Sequence, residues 1–287
     1  MAILFRVLAG FTFALLIFGA TVRVHGAGLS CPDWPLCLGH VVPELNFQVF
    51  LEWGHRVLAG TISIGFAGLG GWLLYRPELR ARAGRLWAGA LVVLMAQIVL
   101  GGLTVLQLLA YWSVTLHLLT GNLFLLCLLG IANVLDPRPL QAPPATRQWA
   151  LALSGMWFLQ MALGGLVSSN YAGLACTEWP TCNGGVWAPV LNGIVGLQLA
   201  HRAGAYVLFG LAAAFAVSAR GTSAAGSARL VFGIVLAQVG LGVANVLLAL
   251  PVEIAVLHSA TADLIGITAV LTAMRLSTAS SPAPVAT

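Results

Sequence analysis

Six histidines occur in the chain, and four of them, His55, His117, His201 and His258, lie inside long apolar runs. LEWGHRVLAG, residues 51–60, adds Glu52 and Arg56 around the first of these, and Arg202 follows the third. Ionisable groups in segments that cross a membrane are costly and mark a site. Two imidazoles facing each other across a four-helix bundle can hold a haem iron axially. Zinc would want a compact tetrahedral set with cysteine or carboxylate nearby. Only one helical cysteine, Cys127, is available, and no helix carries two histidines. The pattern points to two bis-histidine haem sites, one from His55 with His117 and one from His201 with His258. Glu52 shares a helix face with His55. A buried carboxylate there is a natural proton acceptor, which makes Glu52 the candidate catalytic residue. Its structural alternative is an ion pair with Arg56, four positions on. Arg56 and Arg202 could also pair with haem propionates.

The elements that must position these residues are read from hydropathy. The chain of 287 residues is 60% hydrophobic and 7% charged, with mean hydropathy +0.96. Soluble domains carry about 25% charged residues, so an all-α integral membrane protein is expected. Eight apolar runs, near 3–24, 48–75, 86–108, 112–135, 148–170, 191–218, 228–250 and 252–275, are each long enough to cross a ~30 Å hydrocarbon core as helix. They are too long and lack the alternation for membrane strands. The first run lacks a small-residue cleavage site and reads as a retained helix. Nucleic acid is excluded as a partner, because the basic residues form no water-facing cluster; membrane lipid is the expected surroundings.

All 13 basic residues are arginine, and Arg6, Arg76, Arg80, Arg82, Arg85, Arg138, Arg147, Arg220, Arg229 and Arg275 fall on one side. By the positive-inside rule that side is cytoplasmic. The expected location is the cell membrane, with both termini inside and the two cysteine loops outside. Cys31 with Cys37, and Cys176 with Cys182, are close pairs in an oxidising compartment, so two disulfides are expected. All four helical histidines then lie in the outer half of the bilayer, ~8–15 Å below the outer helix ends at 1.5 Å rise per residue.

The sequence repeats. AGLSCPDWPLC matches AGLACTEWPTC, GHRVLAG resembles AHRAGAY, and LHLLTGNL resembles LHSATADL. Four helices recur as four helices, giving two parallel-repeat four-helix bundles related by an axis along the membrane normal. The expected units are residues 1–136, a cytoplasmic linker 137–147, and residues 148–287. Glu52 departs from the repeat, since its counterpart is Gln198. Asp263 matches Asn122, a pair read as hydrogen bonding or packing. Asp33 and Glu178 occupy equal loop positions, and the Trp34-Pro35 and Trp179-Pro180 pairs suit an interfacial loop or a lid. Gly10, Gly19, Gly101, Gly102, Gly164 and Gly165 are expected to permit close helix packing.

CPDWPLC, EWGHR and LHLLTGN, with the weaker CTEWPTC, AHR and LHSATAD, together resemble the haem A synthases over nearly the whole chain. The resemblance implies an enzyme that converts haem O to haem A, oxidising one porphyrin methyl group to a formyl by successive hydroxylations. Haem O would be the substrate in the first half, on His55 and His117. A haem b cofactor would sit in the second half on His201 and His258 and relay electrons. Glu52 would be the catalytic carboxylate, and the Cys31–Cys37 pair would be redox-linked. A haem O synthase and terminal oxidase assembly factors would be partners, together with an electron acceptor that the sequence does not name. The competing readings are a di-haem b electron carrier and a haem or small-molecule transporter.

Overall fold

The computed structural model describes residues 1–189 and 191–277. Eight helices follow one another: α1 Ala2–Val24, α2 Phe47–Tyr75, α3 Pro77–Leu106, α4 Tyr111–Leu135, α5 Pro144–Ser169, α6 Gly193–Ser218, α7 Ala225–Leu247 and α8 Val252–Ser277. All eight are long and apolar enough to cross a membrane. The described residues contain no strand. Residues 278–287 of the expected second half lie outside the described residues.

Three helices begin earlier than hydropathy predicts. α3 starts at Pro77 rather than near 86, so PELRARAGR is helix and not loop. Pro77 sits where a missing N–H costs nothing, and Glu78 in the first turn meets the positive end of the helix dipole. α5 starts at Pro144, which takes residues 144–147 out of the expected linker. α7 starts at Ala225. Hydropathy marks the membrane-buried length, whereas arginine, alanine and leucine continue a helix past it.

α1 to α4 form one bundle, in which α1 packs on α2 and α4, and α3 packs on both α2 and α4. α5 to α8 repeat this arrangement. The halves meet where α4 packs on α5 and α8, and α1 on α8. Each half has its large apolar core at the arginine-rich end. One contains Phe5, Ile62, Phe66, Leu94 and Leu128, the other Leu153, Trp157, Phe215, Val231 and Ile265. At that end Arg6 also pairs with Asp136 at 2.7 Å, tying α1 to the end of α4.

Burial lapses toward the cysteine-loop end. On α2 no residue between Glu52 and Ile62 is fully buried, and on α7 none between Val235 and Asn245. The histidines lie in this loosely packed layer, with the compact cores fixing the helices beneath it.

The α3–α4 and α7–α8 turns are tight. Leu108 and Leu109 have φ of 51° and 61°, and Ala249 and Leu250 have 57° and 62°. None is glycine, so each costs about 1 kcal/mol. The turns aim Leu109 at Gly28 and Leu250 at Gly173, where a Cβ would lie 3.4 Å and 3.0 Å from the leucine methyls. Each turn is thereby docked against the cysteine loop of its own half.

Candidate functional site

The four histidines share one setting. A Cβ placed on Gly19 would lie 3.1 Å from Cε1 of His55, and one on Gly101 would lie 3.0 Å from that of His117. For Gly164 and His201 the distance is 3.1 Å, and for Gly242 and His258 it is 3.2 Å. Each imidazole on an even-numbered helix therefore lies against the bare backbone of the preceding helix. Any side chain there would crowd the ring. His55 and His117 are within direct electrostatic reach of each other, as are His201 and His258. The repeat matches His55 with His201 and His117 with His258, whereas the near neighbours are the two histidines of each half.

Glutamines touch three of the four rings. The Gln97 amide lies 3.4 Å from Nε2 of His117, and Gln238 lies 3.3 Å from Nε2 of His258. In both places a threonine hydroxyl donates to the glutamine Oε1: Thr120 to Gln97 and Thr261 to Gln238. Gln160 lies 3.1 Å from Nδ1 of His201 and donates to the His201 carbonyl at 2.8 Å. The Nδ1 atoms of His55, His117 and His258 are buried without a partner. No group of three or more His, Cys, Asp or Glu side chains converges among the described residues, which disfavours a tetrahedral zinc site. Paired imidazoles in glycine cradles, with partly covered helix faces around them, fit haem ligation instead.

Glu52 is 4% exposed. Its Oε2 accepts the Cys31 N–H at 2.8 Å and its Oε1 accepts the Arg56 guanidinium at 2.6 Å. Arg56 also donates to the carbonyls of Cys31 and Asp33 at 2.7 Å, and of Leu36 at 2.5 Å. In the second half Gln198 Oε1 accepts the Cys176 N–H at 2.5 Å, while its Nε2 donates to Gly173 at 2.7 Å. Arg202 donates to the carbonyls of Cys176, Glu178 and Thr181 at 2.9–3.0 Å. Both arginines therefore hold the cysteine loop from below. Arg56 has a carboxylate partner as well, whereas the bonds of Arg202 run to loop carbonyls.

Each loop is closed by a disulfide, Cys31–Cys37 and Cys176–Cys182. Asp33 accepts the N–H groups of Leu38 and Gly39, and Glu178 those of Gly184 and Gly185. These bonds hold both carboxyls below the usual carboxylate range, Asp33 chiefly through Gly39 and Glu178 chiefly through Gly185. The Trp34 indole lies over Gly102 of α3, where a Cβ would be 3.1 Å from it. The loop thus lids the first half.

Several residues were not assigned a place in the site by sequence reasoning. Gly242 and the glutamines are the clearest, and their signal was present. Gln97 precedes Gly101, Gln160 precedes Gly164 and Gln238 precedes Gly242 by four positions each, which puts each pair on one helix face. Arg23 at the end of α1 donates to Ser168 of α5, its own counterpart in the repeat. Asn122 and Asp263, also counterparts, are buried neighbours where α4 meets α8, and the Asn122 amide donates to the Leu118 carbonyl at 3.2 Å. Gly10, expected to permit close packing, has nothing near it; it lies on a helix face that the bundle leaves uncovered.

The chain is similar to known proteins over most of its length. A Heme A synthase of Shewanella oneidensis is 32% identical, over 93% of this chain and 94% of that protein. Heme A synthases of Bradyrhizobium sp. and Methylobacterium radiotolerans are 30% and 32% identical over 94% and 88% of the chain, covering 90% and 83% of those proteins. The sequence profile of the COX15-CtaA cytochrome oxidase assembly proteins matches residues 2–48 and 44–271. With its duplicated histidine layer and its likeness extending through all eight helices, the chain belongs to the COX15-CtaA family of cytochrome oxidase assembly proteins.

Proposed function

We propose that the chain is a haem A synthase, oxidising a methyl group of haem O to the formyl of haem A. The observation that carries this is the one carboxylate placed on a duplicated frame: Glu52 stands beside His55 where Gln198 stands beside His201. Holding two haems needs no such difference, whereas oxidising one of them does. His55 and His117 would hold the substrate, and His201 and His258 a haem b. When bound, that haem b supplies a one-electron relay. Converting a methyl to a formyl breaks C–H bonds and adds one oxygen atom from an external source. Glu52 takes a proton at a carboxylate oxygen, and the electrons pass to an external acceptor. Arg56 and the Cys31 N–H fix where that oxygen sits. The disulfide-closed loop caps this carboxylate through the Cys31 N–H, and Glu52 is 4% exposed. The product goes to terminal oxidases, with a haem O synthase upstream and oxidase assembly factors downstream. The cysteine loops face outward and the arginine-rich end faces the cytoplasm.

Glu52→Gln tests the assignment. The variant is expected to load haem normally and to yield no haem A, as measured by mass spectrometry of extracted haems. Undiminished haem A would overturn the catalytic role. One observation favours a second reading, a di-haem electron carrier: Gln198 makes the same contact to its loop amide that Glu52 makes, so Glu52 could serve the loop alone. That reading predicts that haem composition is identical in cells with and without this protein.

A further inference from the structure

The glutamine four residues before each cradle glycine occurs on α3, α5 and α7 and fails on α1, where Leu15 precedes Gly19. The consequence falls on one ring. Gln160 holds His201 at Nδ1, at 3.1 Å, and also bonds the backbone of the same residue. The Nδ1 atoms of His117 and His258 lack a partner, but Gln97 and Gln238 reach the other nitrogen of those rings. Among the described residues the His55 ring, packed against Gly19 and edge-on to Phe18, has a buried, unpartnered Nδ1 and no glutamine on either nitrogen. A histidine that ligates a metal is oriented by the bond its other nitrogen makes, and losing that partner weakens metal binding by about 10–100-fold. His55 can swing from its ligating position without breaking a hydrogen bond, but His201 cannot. We infer that His55 is the axial ligand the first half releases when its haem exchanges, and that the Leu15/Gln160 difference separates an exchanging site from a permanent one. The inference rests on reading the four histidines as haem ligands. A substrate haem must enter and leave at each turnover, while a resident haem must stay. The absent glutamine lies in the half that carries Glu52, and on the helix next to it.

The test is haem transfer from the purified full-length protein to excess apomyoglobin, followed by absorbance, with mass spectrometry identifying the haem left behind. Wild type should lose haem in two phases. Leu15→Gln should slow the fast phase by about tenfold or more, and Gln160→Leu should speed the slow phase by a similar factor. Both should keep a low-spin spectrum. Unchanged rates in either variant, with haem content and spectrum retained, would overturn the inference. If Leu15→Gln does not fold, Gln160→Leu alone decides. A separate control guards the underlying reading: His55→Ala with unaltered haem content and spectrum would show that His55 is no ligand at all.

Discussion

In the first half the loop amide of Cys31 meets a carboxylate, and in the second the amide of Cys176 meets a carboxamide. The surrounding geometry is otherwise shared: an arginine one turn further on, three loop carbonyls around it, and a disulfide closing the loop. Substituting Glu52 for Gln198 adds a negative charge and removes a donor, and the partners change accordingly. Gln198 uses its N–H on Gly173, whereas Glu52 uses its second oxygen on Arg56. The difference shows that the loop contact is structural in both halves. What is special to the first half is a buried carboxylate fixed between the Cys31 N–H and the Arg56 guanidinium.

The largest expected effect comes from breaking that ion pair. Arg56→Ala leaves Glu52 buried and uncompensated, at about 3–5 kcal/mol. Arg202→Ala leaves only carbonyls behind, at about 1–3 kcal/mol. Parallel thermal unfolding of the two purified variants should show Arg56→Ala melting clearly lower. Adding Glu52→Gln to Arg56→Ala should recover part of the loss. Equal losses in the two halves, or no recovery in the double variant, would mean that the carboxylate is not ionised in its site.

How much of this could be read beforehand follows from the kind of signal each residue leaves. The spans, the duplication and the histidine layer were legible because hydropathy and period are local properties of the chain. The early start of α3 was missed for the same reason, since its arginines look like loop to a hydropathy reading. The loop-holding work of Arg56 and Arg202 was hidden, because it depends on a loop folding back over the helix that follows it. Arg23 with Ser168, and Asn122 with Asp263, were legible as matched positions but not as neighbours. A residue meets its own repeat only on the pseudo-twofold axis, and nothing in the sequence says which helix face lies there.

The glycine cradles give an intermediate effect that sharpens the comparison. Alanine at Gly19, Gly101, Gly164 or Gly242 would press on a ring carbon at 3.0–3.2 Å. Such overpacking costs about 1–3 kcal/mol unless the neighbour yields. Three of the rings are restrained by glutamines, so Gly101→Ala, Gly164→Ala and Gly242→Ala should lower bound haem and broaden its low-spin spectrum. Gly19→Ala should do so least, because His55 is free to move aside. A Gly19→Ala variant as damaged as the other three would show that His55 is held as firmly as His201.

The smallest effect is expected where the halves agree most closely, at the loop carboxyls. Asp33 and Glu178 are both held below their ordinary range by backbone N–H groups. A carboxyl depressed in the folded state contributes stability above its unfolded pKa, of about 3.9 for Asp and 4.3 for Glu. That contribution disappears as the pH falls through the folded value, so both loops should hold at neutral pH and loosen only below about pH 4. Hydrogen-exchange protection of the Gly39 and Gly185 amides would follow this directly. Asp33→Asn and Glu178→Gln should each abolish the pH dependence of their own loop while leaving global unfolding nearly unchanged. The halves part in one respect, since Arg56 also lowers Asp33 electrostatically. In the Arg56→Ala variant the first loop should therefore loosen at a higher pH than in wild type, with the second loop unmoved. If the first loop does not shift, the charge of Arg56 is spent on Glu52 and does not reach the loop.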